Sequence, residues 1–180
     1  MARGTKARRL VVLTIGHSNL TFDQFLELLR AHGVGRVVDV RTIPRSRRNP
    51  QFNRDELARR LRSARIGYVH LRALGGLRHA KKDSVNQGWR NASFRGFADY
   101  LATREFERGL ARLVKLAKDK RSAAMCAEAV PWRCHRSLIA DALVAQGASV
   151  EHIVSGKRRR VHALTPFAHV GKGRITYPAE

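Results

Sequence analysis

The stretch SAAMCAEAVPWRCHRSLIADALVAQG, residues 122–147, decides the fold. It begins with the short apolar run SAAMC, crosses a polar loop, and closes in LIADALVAQG, whose apolar residues recur at helical spacing before Gly147. A buried strand that runs through a loop into a helix is one unit of a parallel α/β sheet. The loop between them, CAEAVPWRCHR (126–136), carries both cysteines of the chain with one carboxylate, one histidine and two arginines.

The same grammar repeats on either side. LVVLTI (10–15), RVVDV (36–40), YVHL (68–71) and SVEHIV (149–154) read as four further strands. A helix starts after Thr21, where Thr21 and Gln24 have capping-box spacing, Leu20 and Phe25 can staple, and Gly33 supplies the stop. The next helix repeats the pattern, with Asn53 as cap, Glu56 three residues on, and Phe52 set to staple Leu57. A long polar loop, GGLRHAKKDSVNQGWRNAS (75–93), then precedes two helices. The first bears Phe94, Phe97, Tyr100 and Leu101, and the second Phe106, Leu110, Leu113 and Ala117. A loop of that length in a compact domain is a candidate lid or substrate loop. The expectation is one domain over residues 1–180, a three-layer, Rossmann-like α/β fold with a mostly parallel five-stranded sheet and helices on both faces. Its core would span about 10–155, and the basic tail from about 156 to 180 either covers the sheet edge or stays mobile.

With 180 residues, 43% of them hydrophobic, the chain can bury one substantial core. Its start, MARGTKARRLVVLTIGHSN, is basic and then apolar, but the apolar run is short and lacks a small-residue cleavage pattern. Nothing else approaches the length of a membrane span, so a cytoplasmic protein without membrane contact is expected. Two cysteines do not make a secreted disulfide framework, and a reducing compartment would keep them as thiols. Thirty-six Lys and Arg against 14 Asp and Glu give a net charge of +22. Such a surface attracts polyanions, so a nucleic acid or other phosphorylated ligand is the expected partner; plain solvation of an arginine-rich surface is the competing account.

In an open parallel sheet, ligands bind beyond the carboxyl ends of the strands. GHSN follows the first strand, DVRTIPRS the second, RALGGL the third and CAEAVPWRCHR the fourth, so the polar and glycine-rich segments share one predicted edge. The candidate site drawn from them comprises His17, Ser18, Asp39, Arg41, Arg45, Gly75, Gly76, Cys126, Glu128, Cys134, His135 and Arg136. The blocks TIGHS (14–18), DVRTIPRS (39–46), LGG (74–76) and CAEAVPWRCHR, in this order and across most of the chain, resemble the family called domain of unknown function 488. The resemblance implies a compact α/β protein and no particular reaction.

Cys134 begins a helix among Arg133, His135 and Arg136. Such surroundings lower a thiol pKa from about 8.5 into the range of about 3.5–7.5. A nucleophilic or redox cysteine is then conceivable, with His17 or His135 as base and Glu128 as orienter or proton carrier. Cys126, at a strand end, either shares that chemistry or is a small core residue. Arg41, Arg45 and Arg136 can hold an anion, and Asp39 orients Arg41 or a backbone turn. Gly75 and Gly76 allow close backbone approach or simply a turn. Trp89 and Trp132 are stacking platforms or core residues. The separation of Cys126 from Arg133 is one residue longer than the phosphate cradle of cysteine phosphatases uses, and the loop lacks that cradle's glycines. Zinc could be held through Cys126, Cys134, His135 or His17, but a single C-x7-C pair without a second is weak support, so no metal site is expected and the cofactor stays open. The residues lean toward an enzyme whose reaction stays open; the alternative is a non-enzymatic nucleic-acid-binding module with structural cysteines.

Overall fold

The computed structural model describes residues 9–179; of the basic N-terminal segment KARR, residues 6–8 lie outside the described residues. Five parallel strands form the centre: β1 (Val11–Gly16), β2 (Arg36–Asp39), β3 (Gly67–His70), β4 (Ser122–Cys126) and β5 (Ser149–Ser155). A sixth, β6 (Arg158–Val161), runs antiparallel beside β5, giving the order β3-β2-β4-β1-β5-β6. The helices are α1 (Phe22–Ala31), α2 (Arg54–Ser63), α3 (Ala92–Tyr100), α4 (Arg104–Asp119) and α5 (Arg136–Ala145).

Strand alternation divides the core into two layers. Leu13, Ile15, Val37, Ala123 and Met125 face α1 and α2, where Phe25, Leu29, Leu57 and Leu61 are fully buried. Val12, Val38, Ala124, Cys126 and Val150 face the opposite way, onto Phe97, Leu110, Leu113 and Leu138 of α3, α4 and α5. Helices therefore cover both faces, as a three-layer α/β domain requires. The same alternation decides the site: Cys126, one residue beyond Met125, is turned toward the start of α5.

The sixth strand corrects the five-stranded expectation. Its residues RRRV are all exposed and show no apolar alternation, because an edge strand with arginines is protected from further pairing by charge and not by burial. A hairpin follows, β7 (His169–Gly171) and β8 (Arg174–Thr176), turning through Lys172 and Gly173 at φ 50° and 73°. The predicted box at α1 is present: Thr21 Oγ1 accepts from Gln24 N at 3.1 Å and Gln24 Oε1 accepts from Thr21 N at 2.9 Å. At α2 it is not. Asn53 sits at the cap position, but its Oδ1 accepts from Ser46 N at 2.7 Å, and Glu56 instead takes Arg59 one turn on. The asparagine thus ties down the loop after β2 in place of the helix end. The long loop 75–93 is also fastened: the buried Asp99 accepts from Lys81 N, Ser84 Oγ and Asn86 Nδ2, and Asn86 Oδ1 accepts from Tyr177 N. Among the described residues, no helix is long and apolar enough to cross a membrane.

The tail packs against α5 through a buried polar chain. Asp141, fully buried on α5, accepts from His162 Nε2 at 2.7 Å, Thr165 Oγ1 at 2.7 Å and the Tyr177 hydroxyl at 2.8 Å. A carboxylate only accepts, so with both rings neutral His162 Nδ1 accepts from His152 Nε2 at 2.9 Å, and His152 Nδ1 from Thr14 Oγ1 at 2.6 Å. Burial, with the repulsion of a protonated His162 and the charges of Arg136 and Arg160, pushes the pKa of His152 down to about 3 from its ordinary 6.5, against the pull of Asp141. The neutral ring's contribution is therefore complete above pH 6.5 and is lost as pH falls toward about 3. Acidification to pH 5 is expected to remove about 2 kcal/mol of stability through this ring. Urea unfolding at pH 7.5 and pH 5 measures it, and His152→Asn should flatten the slope; equal slopes in the two proteins would refute the assignment.

Candidate active site at the carboxyl edge of the sheet

Beyond the ends of β1, β2 and β4 the loops enclose a cavity of about 570 Å³. The chain positions it by extending the β1–β4 ladder into the loops: Gly16 pairs with Cys126, His17 N donates to the Cys126 carbonyl at 2.9 Å, and Ser18 N to that of Ala127 at 2.9 Å. Gly16 is required there, since a Cβ at this position would lie 1.9 Å from the Glu128 carbonyl oxygen.

The floor on the β2 side is a closed ion pair. Asp39, fully buried, accepts from Arg41 N at 3.1 Å, Arg41 Nε at 2.9 Å, Arg41 NH2 at 2.6 Å and the Tyr68 hydroxyl at 2.7 Å. Arg41 NH2 also donates to the Phe52 carbonyl at 2.8 Å, and NH1 faces His17 Nε2 at 3.3 Å. Burial opposes the Arg41 charge, but the hydrogen-bonded Asp39 carboxylate outweighs it and holds the guanidinium above its ordinary pKa. Asp39 does orient Arg41, and for that reason Arg41 is not the open fork that the sequence suggests: both sides of its fork are engaged. His17 is stacked on Phe52 with centroids 4.1 Å apart and donates from Nδ1 to its neighbour Ser18's carbonyl at 2.8 Å. Its Nε2 lone pair therefore faces Arg41, and burial, with the Arg41 charge, lowers its pKa despite the Ser18 bond. The ring lines the cavity as a neutral, pinned group.

On the β4 side, Cys126 and Cys134 are both free thiols and both buried. Cys134 Sγ lies 3.6 Å from His135 Nδ1 and accepts from Arg136 N at 3.4 Å. His135 Nε2 donates to the Val40 carbonyl at 3.0 Å, and the ring meets the edge of Phe97 at 5.0 Å. The expectation of a lowered pKa at Cys134 is reversed. The neighbouring Cys134 pulls the Cys126 thiol down to about 3, while proximity to Cys126 and burial push the Cys134 thiol up. The helix end does reach Cys134 through Arg136 N–H, but the neighbouring sulfur dominates. Glu128 Oε1 accepts from Val130 N at 3.0 Å, which folds the loop back so that its carboxylate borders the cavity.

Of the twelve predicted site residues, the cavity brings together His17, Arg41, Arg45, Gly76, Cys126, Glu128, Cys134 and His135. Ser18, Asp39, Gly75 and Arg136 are outside its lining. Ser18 sits in a tight turn at φ 47° with its hydroxyl toward Asn19. Gly75 lies against Thr42, where a Cβ would be 2.4 Å from the hydroxyl oxygen. Arg136 is 1% exposed, donates NH2 to the Ala129 carbonyl at 3.3 Å, and has no partner for Nε or NH1 among the described residues. Burial lowers its pKa, opposed by Cys134, Cys126 and Glu128, so it is a buried cation behind the thiols and not a hand extended to an anion. The sequence reading missed Arg78 and the apolar rim of Ile43, Leu77 and Phe94, and it weighed Arg133 for its charge beside Cys134 and for a phosphate-cradle spacing that it does not fit. Arg78 was findable, because it follows the third strand end by the same rule that selected Gly76. Trp89 packs among Phe94, Phe167 and Tyr177, whereas Trp132 is 59% exposed with Arg160 over its ring at 5.0 Å.

Neither the curated proteins nor the solved structures contain a match to this chain. The family described as "Domain of unknown function DUF488" matches residues 21–143, which include DVRTIPRS, LGG and the loop with both cysteines and begin just after TIGHS. That match covers more than half of the chain and three of the four blocks whose ends build the cavity, and the protein belongs to the DUF488 family.

Proposed function

We propose that this DUF488 protein is an enzyme-like cytoplasmic domain that takes a phosphorylated ligand, a nucleotide or a nucleic-acid terminus, into the cavity at the carboxyl edge of the sheet. The observation that carries the reading is the asymmetry of the lining: Arg45, Arg78 and Arg133 join the internally paired Arg41, while Glu128 is the one carboxylate among the described residues of the wall. Arg45 and Arg133 are exposed and, among the described residues, carry no side-chain hydrogen bond, so their forks are available to a phosphate. Exposed Ile43 and Leu77, with Phe94, give the lining the apolar character a nucleobase needs. The anionic group then lies on the arginines and the reacting part over Glu128 and the Cys126, Cys134 and His135 end.

Calorimetric titration with adenosine monophosphate, and separately with inorganic phosphate, tests the reading. Arg45→Ala and Arg133→Ala should each weaken nucleotide binding about tenfold, or about 1.4 kcal/mol. Binding that is absent in the unmodified protein, or unchanged in both variants, would sink it. A second reading has its own observation: exposed Trp132, its partner Arg160 and the exposed arginines of β6 form a surface suited to a polynucleotide. A purely binding module of that kind would lose affinity steeply with salt and would be indifferent to Cys134→Ser.

A further inference from the structure

Cys126, Cys134 and His135 place two sulfurs and one imidazole nitrogen within 4.8 Å of one another. We propose that these three residues are a binding site for a borderline-soft divalent metal ion of the zinc class, with a fourth coordination position open to the cavity. The spacing suits the ion. Sulfur at about 2.3 Å and nitrogen at about 2.0–2.1 Å on a tetrahedral centre stand about 3.6 Å apart. Cys134 Sγ and His135 Nδ1 are 3.6 Å apart.

The imidazole is held in the tautomer a metal requires. The Val40 carbonyl can only accept, so His135 Nε2 carries the proton and Nδ1 presents its lone pair toward the sulfurs. A backbone carbonyl on the far nitrogen is the usual outer partner of a metal-bound histidine, fixing both tautomer and ring plane. Two neighbours hold that plane: Phe97 meets the ring at 5.0 Å and 69°, and Gly76 packs so close that a Cβ there would be 2.8 Å from Nδ1. The Arg136 N–H donates to Cys134 Sγ at 3.4 Å, the kind of contact that supports a thiolate ligand. Three electron-rich atoms thus converge on one corner of the cavity.

Structural zinc sites are closed by a fourth protein ligand, while catalytic ones leave that place to water or substrate. All three residues here line the cavity, and His17 is committed to Arg41 and the Ser18 carbonyl, so the fourth place faces the ligand space. In the sequence a lone C-x7-C pair is weak support for metal, with His135 and His17 both open as further ligands. The fold selects His135, which it seats beneath the end of β2. This inference does not depend on the anion reading, since metal can bind to a cavity that holds no phosphate.

The test is a titration of reduced, chelator-treated full-length protein with cobalt(II), followed by displacement with zinc(II). The expected result is one equivalent bound, with sulfur-to-cobalt charge-transfer absorption and tetrahedral d–d bands that zinc removes. Cys126→Ser, Cys134→Ser and His135→Ala should each weaken binding by more than the 10–100-fold typical of changes to outer partners. In the unmodified protein, zinc should also protect both cysteines from iodoacetamide, read by peptide mass, which needs no variant to fold. Absence of the charge-transfer band, or equal alkylation with and without zinc, would overturn the proposal. Loss of nucleotide binding with cobalt binding intact would instead overturn only the anion reading.

Discussion

Asp39→Ala is expected to destabilise the protein by about 3–5 kcal/mol, the range for removing one partner of a buried ion pair. Asp39 is fully buried and Arg41 is 6% exposed, so the substitution leaves a guanidinium inside the protein with only the Phe52 carbonyl and the His17 ring beside it. It also strips the Tyr68 hydroxyl of its acceptor. Urea unfolding at neutral pH measures the loss, and a change below about 1 kcal/mol would mean the pair is not what holds the loop after β2. The double variant Asp39→Leu with Arg41→Met separates charge from packing. It should be more stable than Asp39→Ala alone, because no uncompensated charge is left behind. The site should not survive either change, since Arg41 sets the position of His17 and of the segment that carries Arg45.

Gly16→Ala is expected to lower stability by about 3 kcal/mol, seen as a fall of about 6–12 °C in Tm for a chain of this size. The new Cβ would stand 1.9 Å from the Glu128 carbonyl oxygen and 2.8 Å from Ala129 Cα. Both are backbone atoms, so no rotamer relieves the clash and the loop must leave the end of β1. The bonds from His17 N and Ser18 N to that loop would break with it, and adenosine monophosphate binding should fall with stability. Gly171→Ala is the control, because nothing lies within 4 Å of a Cβ there. A Gly16→Ala protein that melts with the Gly171→Ala protein would show that the GHS turn and the cysteine loop are not locked together.

The core of the fold was legible because its signals are local. VVLTI, VVD and SAAMC are short apolar runs, Thr21 and Gln24 cap a helix from within four residues, and Gly33 and Gly147 take the positive φ of 64° and 90° that ends one. β6 was not legible, since an edge strand of three arginines and a valine carries no burial pattern. Asn53 misled for a related reason: the spacing to Glu56 was right, but its side chain had a better donor in Ser46, seven residues back. The edge of the sheet on which the site lies was also readable, because every polar strand end falls there in a parallel sheet.

Roles within that site were not readable, because charge and hydrogen bonding depend on neighbours distant in the chain. Arg41 and Arg136 look like anion ligands in the sequence, yet one is closed by Asp39 and the other is buried behind the thiols. His135 acquires its metal-ready tautomer from Val40, 95 residues away. By itself, then, the sequence determined the order of the five parallel strands and the five helices, the shared edge of the candidate site and the cluster of unusual residues in CAEAVPWRCHR. Only the tertiary structure decided which arginines are exposed, that the two sulfurs meet beside His135, and which imidazole nitrogen faces them. Periodicity and capping are written in contiguous residues, whereas burial and pairing are settled by the elements that packing brings against them.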